Sequence, residues 1–164
     1  MTFKTFATYR SLGALLAVAM TAACAATPAS TTAGANGAAG SSAGPVAGSE
    51  EDLVANVGDR VFFALNQSSL QTDGRGTLDR QAAWMAKFPQ NNVQIAGNCD
   101  ERGTEEFNIA LGQRRANADR DYLVARGVSG GRITTISYGK DRPTALGSDE
   151  AAWTQNRNAI TSVR

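Results

Sequence analysis

The sequence predicts a two-layer α/β sandwich over its C-terminal two thirds. Three observations predict it. Apolar patterns of strand and helix period alternate there, in the order strand, helix, strand, helix, strand, helix, strand. The stretch 50–164 is long enough to close one hydrophobic core. It is set off from what precedes it by an uncharged, low-complexity segment.

Residues 1–23 read as a secretory signal. Lys4 and Arg10 supply its positive start, and Leu12 to Met20 supply a short apolar stretch. That stretch falls well short of the roughly 20 residues a membrane-spanning helix needs. Thr21-Ala22-Ala23-Cys24 closes it. Small residues before a cysteine resemble a bacterial lipobox, which makes Cys24 the expected lipidated first residue of the mature chain. Thr21 stands where a lipobox usually has Leu, and ordinary secretory cleavage nearby is the alternative. Residues 24–49 are read as the lipidated cysteine and its linker. Of the 24 residues 25–48, 22 are Ala, Gly, Ser, Thr or Pro, and none is charged. Such a composition cannot bury enough apolar area to offset its conformational entropy. As a flexible coil it spans about 25–30 Å, and about 80 Å fully extended.

Within the folded module, Arg60 to Leu65 reads as a strand ending at Asn66. Asp73 to Phe88 reads as a helix, with Leu78, Ala82 and Met85 on one face and Pro89 as its stop. Trp84 is read as packing. Asn92 to Gly97 is the second strand. Thr104 to Arg126 is a long helix whose stripe is Phe107, Leu111, Ala118 and Tyr122, with Gly127 after its end. Arg132 to Tyr138 is the third strand. Asp149 to Gln155 is a short helix with Trp153 turned inward, and Asn158 to Val163 is the last strand.

Residues 97–116 carry the functional signal. A polar loop leaves the second strand and the long helix opens at Thr104, a helix-capping residue followed by Glu105 and Glu106. Asp100 lies in the loop, and Arg115 about three turns into the helix. An acid and an arginine so placed can grip one zwitterion, the carboxylate taking an ammonium and the guanidinium fork a carboxylate. Taken from charge spacing alone, an ordinary loop with a solvated helix face is the better reading.

Asp100-Glu101-Arg102-Gly103-Thr104, Asn108-Ile109-Ala110-Leu111-Gly112 and Arg114-Arg115-Ala116 resemble the peptidoglycan-associated lipoproteins, part of the wider OmpA-like domain family. The resemblance covers roughly residues 58–164 with no gap. It implies a mixed four-stranded sheet with helices on one face. It also implies non-covalent binding of peptidoglycan through the diaminopimelate of the stem peptide. Asp100 and Arg115 fall on the family's two principal ligand positions, and Asn108 on a supporting one. Amides at the Thr104 helix start are expected to assist with the ligand carboxylate. The grip is expected in a solvent-facing pocket. Two acids usual in the family are replaced by Ala64 and Asn66. Tyr138 to Pro143 resembles the family's next loop, and Asn156-Arg157 matches a recurrent pair. Asp119 stands where some relatives are apolar and is expected at the core's rim. By the same resemblance, Ala25 after Cys24 implies the outer membrane, facing the periplasm. The resemblance further implies TolB and the Tol machinery as partners, in envelope integrity and cell division.

Composition narrows the alternatives. The chain has no histidine, the commonest general base and metal ligand, so no Ser-His, Cys-His or metal constellation can be drawn. No cofactor is implied, and the reading is a binding module, not an enzyme. Of 16 Lys and Arg, Lys4 and Arg10 fall in the signal, leaving 14 against 15 acids. That balance argues against nucleic acid as a partner. The remaining rival is an OmpA-like wall anchor of another envelope complex, such as a flagellar-motor stator. Stators carry a true membrane-spanning helix, and residues 12–20 are too short for one. Cys24 and Cys99 do not suggest a disulfide framework. Cys99 is expected to be an unpaired buried thiol, with a redox-sensitive thiol as the alternative.

Overall fold

The computed structural model describes residues 44–164. Cys24 and the signal and linker readings therefore lie outside the described residues. Glu50–Asp52 (α1) opens the module, capped by Ser49, and runs directly into a π-helical turn at Leu53–Val57. The remaining elements are β1 (Arg60–Phe62), α2 (Thr72–Lys87), β2 (Val93–Asn98), α3 (Glu105–Ala125), β3 (Ile133–Gly139), α4 (Glu150–Asn156) and β4 (Asn158–Val163). A short 3-10 turn, Gly130–Arg132, leads into β3.

The sheet order is β1-β4-β2-β3. β4 is antiparallel to both neighbours, whereas β2 and β3 are parallel. The result is a mixed four-stranded sheet in an α/β sandwich. Alternate residues point to opposite faces of a strand. Val61, Val93, Ile95, Ile133 and Ala159 therefore join Leu78, Met85, Ala116 and Leu123 in one core. β1, β2 and β3 run one way and β4 the other, so three strand ends and the start of β4 gather at one end of the sheet. The site forms there.

The first strand is shorter than predicted, stopping at Phe62 instead of Leu65. Phe63 leaves the ladder to donate to the Arg157 carbonyl, and Gln67 N–H closes a turn on Ala64. Asn66 takes φ +56° in that turn, a left-handed conformation that Asn tolerates better than most residues. The stripe predicted for α3 also needs correction. Phe107 is 43% exposed, and the buried face is instead Asn108, Leu111, Gly112, Arg115, Ala116, Asp119 and Leu123. Polar side chains at the core-facing positions hide the apolar period. Asp119 is not at the rim: it is fully buried. Trp84 packs as expected, its indole N–H donating to Asp52. Trp153 is only half-buried, and the Arg102 guanidinium lies over its ring.

Candidate functional site

Three segments meet at the sheet end: the 63–67 turn, the loop after β2, and the first half of α3. Thr104 caps α3, its Oγ1 accepting from Phe107 N–H at 3.3 Å. One turn on, buried Asn108 donates from Nδ2 to the Arg102 carbonyl at 2.9 Å, fastening the loop to the helix. Gly103, at φ +94°, makes the turn between them.

Arg115 projects under this loop and is 1% exposed. Its Nε donates to the Gln67 carbonyl at 2.9 Å, Nη2 to Ala64 at 3.1 Å and Nη1 to Asn98 at 2.7 Å. Among the described residues no carboxylate lies within 4.0 Å of it. Burial pulls the guanidinium below its ordinary pKa. It stays charged, since arginine starts so high. Its direct oxygen partners are thus backbone carbonyls, with the Phe63 ring centre 5.2 Å from the guanidinium carbon and the charge of Asp100 acting from farther off.

Asp100 is also buried, at 4% exposure. Oδ1 accepts from the Arg102 backbone N–H at 3.2 Å. Oδ2 accepts from Arg102 Nη2 at 2.6 Å and from Arg157 Nη1 at 3.4 Å. Burial pushes this carboxyl up, but the hydrogen bonds and charge of Arg102, helped by Arg157, more than reverse that and hold it below the usual carboxylate value. Asp100 is therefore an ionised anchor and not a proton donor at neutral pH.

Asp100, Arg115 and Asn108 line one tight crevice, too narrow to hold a water, with Leu65, Asn66, Cys99, Leu111 and Arg157. Thr104 stands outside that lining and is exposed. The expected solvent-facing pocket is a closed one, because the 63–67 turn and the loop after β2 fold their carbonyls over the guanidinium. Cys99 is buried and free. Its Sγ lies 3.4 Å from the Asn108 carbonyl oxygen and 3.5 Å from Arg115 Nη1. Burial raises its pKa, partly offset by Arg115.

Arg157 and Arg102 are site residues that the sequence reading did not assign. Arg157 is held by Phe63 O at 3.2 Å, Glu150 Oε1 at 2.9 Å and Thr154 Oγ1 at 2.9 Å. Its only sequence signal was the Asn156-Arg157 pair, whose asparagine clasps both backbone groups of Ala145. Among the described residues no cluster of His, Cys, Asp and Glu could hold a metal. The arrangement suits a ligand carrying both charges: an ionised acid and an acid-free guanidinium share one desolvated cleft.

Known proteins share this sequence and fold. Residues 62–157 match the OmpA family. The chain is 55% identical over 114 residues to the peptidoglycan-associated lipoprotein of Rhizobium meliloti (strain 1021), covering 70% of this chain and 65% of that relative. It is 51% identical over 114 residues to the one of Brucella melitensis biotype 1, covering 70% of this chain and 68% of the relative. The matched part thus spans about two thirds of these relatives' length. Among solved structures, the peptidoglycan-associated lipoprotein of Burkholderia pseudomallei superposes with a TM-score of 0.63 at 42% identity, covering 65% of this chain and 90% of that one. On sequence, fold and the matched span together, the chain belongs to the OmpA family.

Proposed function

We propose that this chain is an outer-membrane lipoprotein that binds peptidoglycan non-covalently and ties the outer membrane to the cell wall. The observation that carries the reading is the cleft: a buried ionised Asp100 beside a buried Arg115 that has no acid partner among the described residues. The diaminopimelate of a stem peptide offers both complements, an ammonium for Asp100 and a carboxylate for the Arg115 fork. The carboxylate would take over guanidinium N–H groups now given to Ala64 and Gln67. The crevice as folded has no room for even one water molecule. A seven-carbon diamino diacid needs the 63–67 turn to move outward. Asn108 shapes the loop and can hydrogen-bond the stem peptide; the amides after Thr104 offer a second seat for an anion.

The anchor in this proposal is Cys24. Three acyl chains hold a lipoprotein stably where one chain does not. Cys24→Ser should leave the protein unprocessed or released from outer-membrane fractions. Docking to TolB, in a Tol system serving envelope integrity and division, belongs to the same proposal and is checked by crosslinking in intact envelopes. The wall-binding part is tested by sedimenting the purified protein with intact sacculi. Co-sedimentation with no muropeptide released is the expected result. Release of soluble fragments, or no co-sedimentation, would refute it.

A further inference from the structure

We propose that Arg102 competes with the ligand for Asp100, its guanidinium standing in for the ligand's ammonium until the ligand arrives. This inference rests on the wall-binding reading above.

A carboxylate offers about four acceptor directions. The protein already uses three on Asp100: the Arg102 N–H, Arg102 Nη2 at 2.6 Å and Arg157 Nη1 at 3.4 Å. One direction stays open, but Asp100 is only 4% exposed, so an incoming ammonium reaches the carboxylate by displacing one of the two guanidinium contacts. The two arginines are not equally movable. The Arg157 side chain is 8% exposed and tied at Nε and Nη2 to Phe63, Glu150 and Thr154. The Arg102 side chain is 34% exposed. Its Nε, though buried, has no hydrogen-bond partner.

Arg102 also has a second seat within reach. Its guanidinium carbon lies 4.1 Å from the Trp153 ring centre, and Nη1 is 3.6 Å from Glu150 Oε2. Trp153 is itself held in place, its indole N–H donating to Glu101 Oε1 at 3.0 Å. A small rotation over the indole carries the guanidinium from Asp100 toward Glu150. The cation–π contact survives this move, and one carboxylate replaces another. The ligand's ammonium then fills the place left at Asp100. Charge in the cleft stays balanced before and after, so the empty site keeps no bare buried carboxylate.

The consequence is opposite in sign to an ordinary binding contact: removing Arg102 should strengthen binding. The test titrates wild type, Arg102→Gln, Arg102→Lys and Asp100→Asn with a soluble muropeptide bearing a diaminopimelate stem, by calorimetry, with melting temperature measured alongside. Arg102→Gln is expected to bind about 2- to 5-fold tighter, the range of a partly exposed ion pair. Arg102→Lys, which loses the fork and the planar stack, should shift the same way by less. Both keep the loop's backbone hydrogen bonds. Equal or weaker binding by folded Arg102→Gln, with wild type binding and Asp100→Asn not, overturns the role of Arg102 and leaves wall binding intact. No binding by wild type overturns both.

Discussion

Gly97 of β2 and Gly112 of α3 meet backbone to backbone: a β-carbon on Gly97 would lie 1.8 Å from the Gly112 carbonyl oxygen. The reverse is also closed, since a β-carbon on Gly112 would meet Ser137 Oγ at 2.3 Å and the Gly97 carbonyl oxygen at 2.7 Å. This contact seats the helix directly on the strand. It sets the height at which Asn108 and Arg115, a turn to either side of Gly112, face the loop after β2. Backbone cannot move aside as a flexible side chain can. Gly97→Ala should therefore cost about 3 kcal/mol or more of stability, the upper end for an overpacked core. Urea denaturation measures it. An unshifted midpoint would mean that the close approach is not needed.

Asp119 is fully buried and neither carboxylate oxygen has a hydrogen-bond partner. Burial pushes its pKa well above the ordinary value. A carboxyl whose folded pKa is raised carries no ionisation cost below the unfolded pKa of about 3.9, and that cost grows as pH rises above it. Leu has nearly the same branched shape as Asp and needs no partner. Asp119→Leu should stabilise the protein at neutral pH by about 1–3 kcal/mol, the penalty of a buried unsatisfied polar group. The gain should shrink below about pH 4 to the part owed to the unpartnered neutral carboxyl. A gain that does not change with pH would locate the effect in packing and not in charge.

The contrast between β2 and α3 shows what the sequence made legible. β2 alternates Val93, Ile95 and Gly97 inward with Gln94 and Ala96 outward, a period-2 signal that matches its register. The cap Thr104 also read directly, because a side-chain oxygen before an acid-rich turn has one local use. The buried face of α3 did not. Asn108, Arg115 and Asp119 look solvated by type, and only the three-dimensional meeting with the 63–67 turn and the loop after β2 supplies the carbonyls that let Arg115 be buried. Asp100 and Arg115 were legible as a charge pair in sequence, but their closure was not. The roles of Arg102 and Arg157 depend on α4 reaching the loop after β2, a contact between residues about 50 apart that no local pattern encodes.

Cys99 should react slowly with thiol reagents while the protein is folded. It is 3% exposed, and burial raises its pKa, so little thiolate forms. Labelling is expected to need opening of the fold and to track urea-induced unfolding. Rapid labelling of the native protein, with wall binding lost, would instead mark a redox-sensitive thiol beside Arg115.

Arg115 anchors the 63–67 turn through the carbonyls of Ala64 and Gln67. Arg115→Ala should therefore lower the melting temperature as well as binding, since it leaves buried carbonyls without donors. Arg115→Lys should not rescue binding, because an ammonium cannot present the planar fork. Stability equal to wild type in Arg115→Ala would show that the turn is held by other contacts.

The grip of Asp100 and Arg115 on one zwitterion is tested most directly at Asp100, where the near-isosteric Asp100→Asn removes charge and little else. The measurement is its affinity for the diaminopimelate-bearing muropeptide, made well below its melting temperature so that the protein is folded. Truncating one member of a desolvated charge pair costs about 2–5 kcal/mol. A loss of about 30-fold or more is expected on that scale. Wild-type affinity in folded Asp100→Asn would contradict the grip outright.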